Sequence, residues 1–368
     1  MKMVGLVAAG GLVLGAAAAC GKAPSKSTGT GTGTATKACM VTDTGGIDDK
    51  SFNSSAWKGM QDANAANSKI SVQYVQSKAE TDYEPNLSGF VTQKCDVIVA
   101  VGGLMGDATT KVATANPNTK FVIVDGSIAL PNVYSAQFDT AQAGYLAGYL
   151  AAGMSKSGIV GTYGGLNIPP VTVFMDGFVD GVAKYNEVKG KTVQVLGWNK
   201  ATQTGSFVPG NNPFGDTDGG KSISTAMVAQ GADVIMPVAG FSGQGTAQQA
   251  LDNPGKFSVI WVDQDGCVSA EKFCSVFLST VVKNISDAVK DAVMKVADGS
   301  FQGGTGSIGT LANNGVQLAP YHEFDSKIPA DLKSEIDQLK ADIVSGKITI
   351  TSKSQPVAPS VAPSPSAS

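Results

Sequence analysis

Asp43, Asp125 and Asp263 each close a short run rich in Val and Ile. Phe52 and Asn53 follow the first of these acids after a Gly-rich turn, and Lys283 stands near the start of a later helical pattern. Trp198, Gly240 and Phe241 close two further apolar runs. Carboxylates accept hydrogen bonds from vicinal hydroxyls or ring N–H groups, and an Asn both donates and accepts. Aromatic faces stack on a flat base or on the apolar face of a sugar. The set therefore suits a neutral polar ring compound. A phosphate would meet three acids against one amine. Each residue also has a plainer reading. The aspartates could cap helices, Phe52 and Trp198 could fill a core, and Lys283 could lie on the surface. Trp57 and Phe174 sit on helical faces and read as core, and His322, the only His, reads as structural.

These residues need elements that carry them to one place. Buried-strand patterns run over 39–43, 70–75, 96–101, 120–125, 158–163, 192–198, 233–238 and 257–263. Helical patterns run over 53–66, 141–153, 172–185, 221–230 and 280–298. Continuous apolar strands alternating with helices predict an α/β protein with parallel sheets. A weak internal repeat predicts two Rossmann-like lobes. Val97 to Asp125 and Val234 to Asp263 both run strand, helix, Pro, strand, Asp, over 28 and 29 residues. Ligands of such sheets bind beyond the carboxyl ends of the strands, where the polar set stands.

Several function classes find no support. Net charge is −3 and every basic side chain is Lys, with no Arg. Neither a nucleic-acid footprint nor the usual bidentate clamp for phosphate is present. Gly215 to Ser222 matches the phosphate-loop pattern, but the preceding 209–214 is loop rather than strand, and Asp216 and Asp218 would repel phosphates. Ser–His–Asp sets, metal-ligand spacings and a dinucleotide fingerprint are lacking, so no enzyme, cofactor or metal is expected. Paired carboxylates alone could serve a glycosidase, but nothing marks a positioned water.

The N-terminus reads as an export signal. Lys2 precedes an apolar run from Val4 to Ala19, and small residues lead into Cys20. Ala17-Ala18-Ala19-Cys20 resembles a bacterial lipobox, with Ala17 where Leu is usual. Residues 1–20 are thus expected to be a lipoprotein signal ending at the lipidated Cys20, anchoring the chain on the extracytoplasmic face of a cell membrane. Residues 21–37 read as a flexible tether and 353–368 as a disordered tail. Of the other cysteines, Cys39 and Cys95 open two strands that would meet at one sheet edge if neighbours, and Cys267 and Cys274 could close a short loop. The expected disulfides are Cys39–Cys95 and Cys267–Cys274, with four free thiols as the alternative.

The segment from Val41 to Gly59, containing Asp43, Gly45, Gly46, Asp48, Asp49, Phe52, Asn53 and Trp57, resembles the opening signature of the basic membrane protein family. Phe121 to Asp125, Gly231 to Ile235, Val262 to Asp265 and Ser279 to Asn284 are similar to further family segments. These are purine-nucleoside-binding lipoproteins of ABC transporters. The resemblance implies a type I, Venus-flytrap architecture with a three-segment hinge. The lobes would be 38–138 plus 267–310 and 139–266 plus 311–352. It implies a base held between aromatics and touched by Asn53 and Asp125, and ribose hydroxyls held by Asp263 and Lys283 with backbone help near Gly240. Asp43 and Phe52 match family positions. Trp198 and Phe241 are the candidates for the second stacking aromatic, because 199–220 departs from the family pattern with a Gly/Asn/Pro insertion. The implied function is a monomeric binding lipoprotein that delivers a nucleoside to a membrane permease. A sugar or autoinducer binding protein on the same fold is the rival.

Overall fold

The computed structural model describes residues 35–359. Cys20 and the expected signal segment lie outside the described residues. Strands β1 (Thr36–Thr42), β2 (Ile70–Gln76), β3 (Val97–Val101), β4 (Lys120–Val124) and β5 (Val133–Phe138) form most of a first sheet. A second sheet takes β6 (Ile159–Gly164) and β7 (Gln194–Leu196). A small hairpin of β8 (Trp198–Asn199) and β9 (Thr204–Gly205) follows. The second sheet then continues with β10 (Val234–Val238), β11 (Ser258–Asp263) and β12 (Phe277–Lys283). Strand β13 (Thr305–Gly309) returns to the first sheet and β14 (Val316–Leu318) to the second.

The first sheet has the order β13-β5-β4-β3-β1-β2 and the second β14-β12-β11-β10-β6-β7. All pairs in the first are parallel, and in the second only the β12–β14 pair is antiparallel. β3 and β10 are buried along their whole length, as strands covered by helices on both faces must be. β1 and β3 are neighbours, which brings Cys39 and Cys95 into a disulfide; Cys267 and Cys274 form the second. In the second lobe the helices Thr140–Met154 and Pro169–Lys189 pack backbone to backbone. A Cβ at Gly148 would lie 2.0 Å from the Phe178 carbonyl oxygen, and one at Gly181 would lie 1.9 Å from that of Tyr145. Only glycine permits that approach.

The chain passes between the sheets three times, at Phe138–Asp139, Lys283–Asn284 and Gly309–Thr310. The second passage corrects the expected lobes. The sequence pattern places 277–283 in the first lobe and starts a helix at 280. They form β12 instead, fully buried between β11 and β14 of the second sheet. Its Phe-Leu-Ser-Thr-Val-Val core is mostly apolar or β-branched, which suits a central strand, and the Ser279 and Thr280 hydroxyls are both hydrogen-bonded. The helix begins only at Ile285 and packs against the helix Phe52–Ala66 of the first lobe. The expected disordered tail also needs correction. Residues 353–359 are laid across both lobes, with Val357 O accepting from Gln137 Nε2 at 2.7 Å.

Candidate functional site

The carboxyl ends of both sheets face one cavity of about 60 Å³. Asp43, Asp49, Phe52, Asn53, Gly102 and Asp125 line it from the first lobe; Phe174, Phe214, Gly240, Asp263 and Lys283 line it from the second. β1 ends at Thr42, so Asp43 is the first residue beyond the sheet. Asn53 Nδ2 and the Gly45 amide both donate to Asp43 Oδ1, at 2.6 and 2.8 Å. Asp49 binds the start of the helix Phe52–Ala66. Its carboxylate accepts from the amides of Ser51, Asn53 and Ser54 at 3.0, 2.7 and 3.0 Å, satisfying orphan donors of the first turn.

Asp125 and Asp263 both take positive φ, 63° and 68°, a left-handed conformation that Asp tolerates better than most residues. Each turns the chain out of a strand end and points a carboxylate inward. Asp263 accepts from Ser51 Oγ at 2.5 Å across the lobes. Asp125 forms a buried ion pair with Lys283, whose side chain is 3% exposed. That ammonium also stands 4.8 Å from the ring centre of Phe52 and 5.5 Å from that of Phe174, a cation–π setting. Further contacts close the lobes on each other. Trp261 Nε1 and Ser269 Oγ donate to the Lys50 carbonyl at 3.2 and 2.8 Å, and Gln264 Nε2 donates to that of Ser51.

Four carboxyls share this cavity with one ammonium. Burial pushes Asp43 up to about 7, against the donors Asn53 and Gly45. Burial pushes Asp263 up to about 6, opposed by Lys283 and the Ser51 hydroxyl. Asp49 and Asp125 are raised by the same desolvation, opposed respectively by backbone amides and by Lys283. The walls thus offer acceptors, one donor-rich amine and aromatic planes from both lobes.

Seven of the sequence-selected residues come together here: Asp43, Phe52, Asn53, Asp125, Gly240, Asp263 and Lys283. Trp198 does not. Gly197 has φ 83° and breaks the expected strand 192–198 before its last residue. The indole turns into the second lobe, where Nε1 donates to Asp176 at 2.8 Å and the ring meets Phe207 edge-on. Phe241 faces an outer recess with Ile47, Gln76 and Asn212. The second-lobe aromatics in the cavity are Phe174, read from sequence as core, and Phe214, carried by the insertion that follows β9. Phe214 approaches first-lobe Gly45 closely: a Cβ there would lie 3.5 Å from Phe214 Cβ. Its position within an irregular loop left no periodic signal. Asp49 was missed too, though an acid four residues before Asn53 could have been weighed as a cap. The phosphate-loop match also resolves. Asp216 accepts from the Gly219 amide and caps the helix Thr217–Ala229, so that turn is not a free anion cradle.

His322 pairs with Asp265 at 2.7 Å. Among the described residues those two converge with Cys267, whose sulfur is committed to a disulfide. A disulfide sulfur offers no thiolate to a metal.

Two wound sheets closed over one interlobe cavity define a type I solute-binding protein. The sequence profile of the PnrA-like ABC transporter substrate-binding proteins matches residues 36–354. The chain belongs to this Bmp family. It is 33% identical over 333 residues to the ABC transporter nucleoside-binding protein BmpA of Lactococcus lactis, covering 86% of this chain and 89% of that one. It is 29% identical to a lipoprotein of Pyrococcus abyssi, covering 83% of this chain and 73% of that one. The crystal structure of an ABC transporter solute-binding protein from Aeropyrum pernix shares the fold, with TM-score 0.75, 23% identity, and 85% and 92% coverage of the two chains. This chain is therefore a substrate-binding protein of an ABC transporter and not an enzyme.

Proposed function

We propose that the cavity captures a nucleoside, with a purine base, and that the closed form presents it to a membrane permease. The observation that carries this reading is the joint presence of aromatic planes from both lobes and several buried carboxylates in one crevice, with one amine. A flat base would stack between Phe52 and the second-lobe aromatics. Asp43, Asn53 and Asp125 would meet its edge, and Asp263 and Lys283 would meet the ribose hydroxyls, with the backbone near Gly240 alongside. A phosphorylated ligand would place its charge among acids. The likeness to a nucleoside-binding relative supports the ligand class. Anchoring through a lipid on Cys20, with the monomer held at the outer face of the membrane, completes the reading. It draws on the lipobox-like segment and on relatives named lipoproteins.

Isothermal titration with inosine, guanosine, adenosine, free ribose and a nucleoside monophosphate tests it. Nucleosides should bind in preference to ribose and to the monophosphate. Tighter binding of ribose would transfer the site to a sugar. Asp263→Ala should weaken nucleoside binding tenfold or more, the worth of a hydrogen bond to a charged group, about 1.5–3 kcal/mol.

A further inference from the structure

The C-terminal residues continue past the last helix and cross the hinge beside the three covalent passages. The crossing begins on the second lobe. Lys200 Nζ donates to the Thr351 carbonyl at 2.6 Å, and Lys353 Nζ to that of Ala201 at 3.2 Å. Ser352 Oγ donates to Asp176 Oδ2 at 2.6 Å, and Ser354 Oγ lies 2.6 Å from Thr172 Oγ1. Asp176 and Thr172 both belong to the helix Pro169–Lys189, whose first turns also supply Pro170 and Phe174 to the ligand cavity.

Three residues later the chain is held by the first lobe. The Val357 carbonyl accepts from Ser127 Oγ at 3.0 Å and from Gln137 Nε2 at 2.7 Å. Between these anchors, the Gln355 amide lies against the Asp139 carboxylate at the first hinge passage. Gln355, Pro356 and Val357 also wall a chamber of about 110 Å³ that reaches Asp125 and Pro170. Three residues reach at most about 10 Å when extended, and Pro356 removes one backbone freedom. The stretch between Ser354 and Val357 has little slack to follow lobes that rotate apart.

We propose that residues 352–357 are a strap that clamps the closed lobes, so that opening and ligand release require one of its two anchors to detach. Binding proteins of this architecture open by rotation about hinge segments that absorb the dihedral change. Here a non-covalent fourth connection opposes that rotation. Its anchors are hydrogen bonds among neutral groups, one to the Asp176 carboxylate and one from the Lys353 ammonium, few enough to break on the time scale of domain motion. The strap lies outside the ligand cavity and touches it only through Asp125 and Pro170.

A strap fails when either end is cut, and this separates it from ordinary local packing. Ser127→Ala with Gln137→Leu frees the first-lobe end; Ser352→Ala with Ser354→Ala loosens the other, leaving the Lys200 and Lys353 bonds to backbone carbonyls. Small-angle scattering of the ligand-free protein and stopped-flow release of inosine read the outcome. Each pair should raise the population of open particles and speed release about tenfold, the worth of one to two net hydrogen bonds. All four substitutions together should do no more than either pair. Two glycines inserted between Ser354 and Gln355 leave both anchors intact and add slack, and should give the same increase. Effects that multiply, an insertion without effect, or an unchanged radius of gyration and release rate would overturn the proposal. The scattering measurement needs no ligand, so it decides the strap even where inosine proves to be the wrong solute.

Discussion

Asp125 and Asp263 occupy matching places in the two lobes, and their surroundings differ. Each ends the fourth segment of its repeat, each has a left-handed backbone, and each points into the shared cavity. The first is ion-paired by Lys283, which reaches over from the second lobe. The second is met by the Ser51 hydroxyl of the first lobe and is pushed up to about 6. One backbone device, repeated, thus delivers two carboxylates of different electrostatic character. The difference comes from the opposite lobe in each case. Closure therefore completes the site electrically as well as sterically.

The sharpest way to break this comparison is to remove each acid in turn. Asp125→Ala leaves the Lys283 ammonium buried without its partner. It should cost about 3–5 kcal/mol of stability, seen as a lower denaturant midpoint. Adding Lys283→Met should recover most of that loss. Asp263→Ala removes a carboxyl that burial already disfavours and should destabilise the ligand-free protein far less. Equal losses at both positions would show that the two acids are equivalent after all.

A second contrast separates the aromatics. Phe214→Ala should weaken nucleoside binding by about 1–3 kcal/mol, the scale of base stacking on an aromatic ring, with little change in stability. Trp198→Phe should leave affinity unchanged in the same titration, while lowering Tm through loss of its bond to Asp176. The reverse pattern would return Trp198 to the site.

The smallest effect concerns pH. Asp43 titrates near 7 and Asp263 near 6 in the folded chain, against an ordinary 3.8. Between these values the native state binds more protons than the unfolded state, so stability falls as pH rises. The penalty begins near pH 4 and is complete above pH 7. Asp43→Asn should flatten this fall, raising Tm at pH 8 relative to pH 5 by about 2–4 °C for each kcal/mol relieved. A pH profile of Tm identical to that of the parent would place the proton elsewhere.

Much of the candidate site's cavity lining was legible because its residues sit where strands stop. The run before Asp125 is four apolar residues ended by a polar one, and the run before Asp263 repeats that pattern. The Cys39–Cys95 disulfide followed from the same strand reading, since neighbouring parallel strands align their starts, and Cys267–Cys274 from closeness in sequence. Phe214 was not legible. It sits in an irregular loop between glycines and prolines, where neither a period of two nor one of 3.6 applies. Trp198 misled because one residue, Gly197, reverses the chain where the hydrophobic run continues.

Local order in the chain determined the two wound sheets and their polar strand ends, because burial patterns and residue types are properties of short segments. Tertiary structure decided the rest. It gave β12 to the second sheet, brought the insertion's Phe214 over the crevice, set Lys283 against Asp125 rather than Asp263, and laid residues 352–357 across the hinge. These depend on which distant surfaces meet when the lobes close, and no stretch of sequence contains both partners.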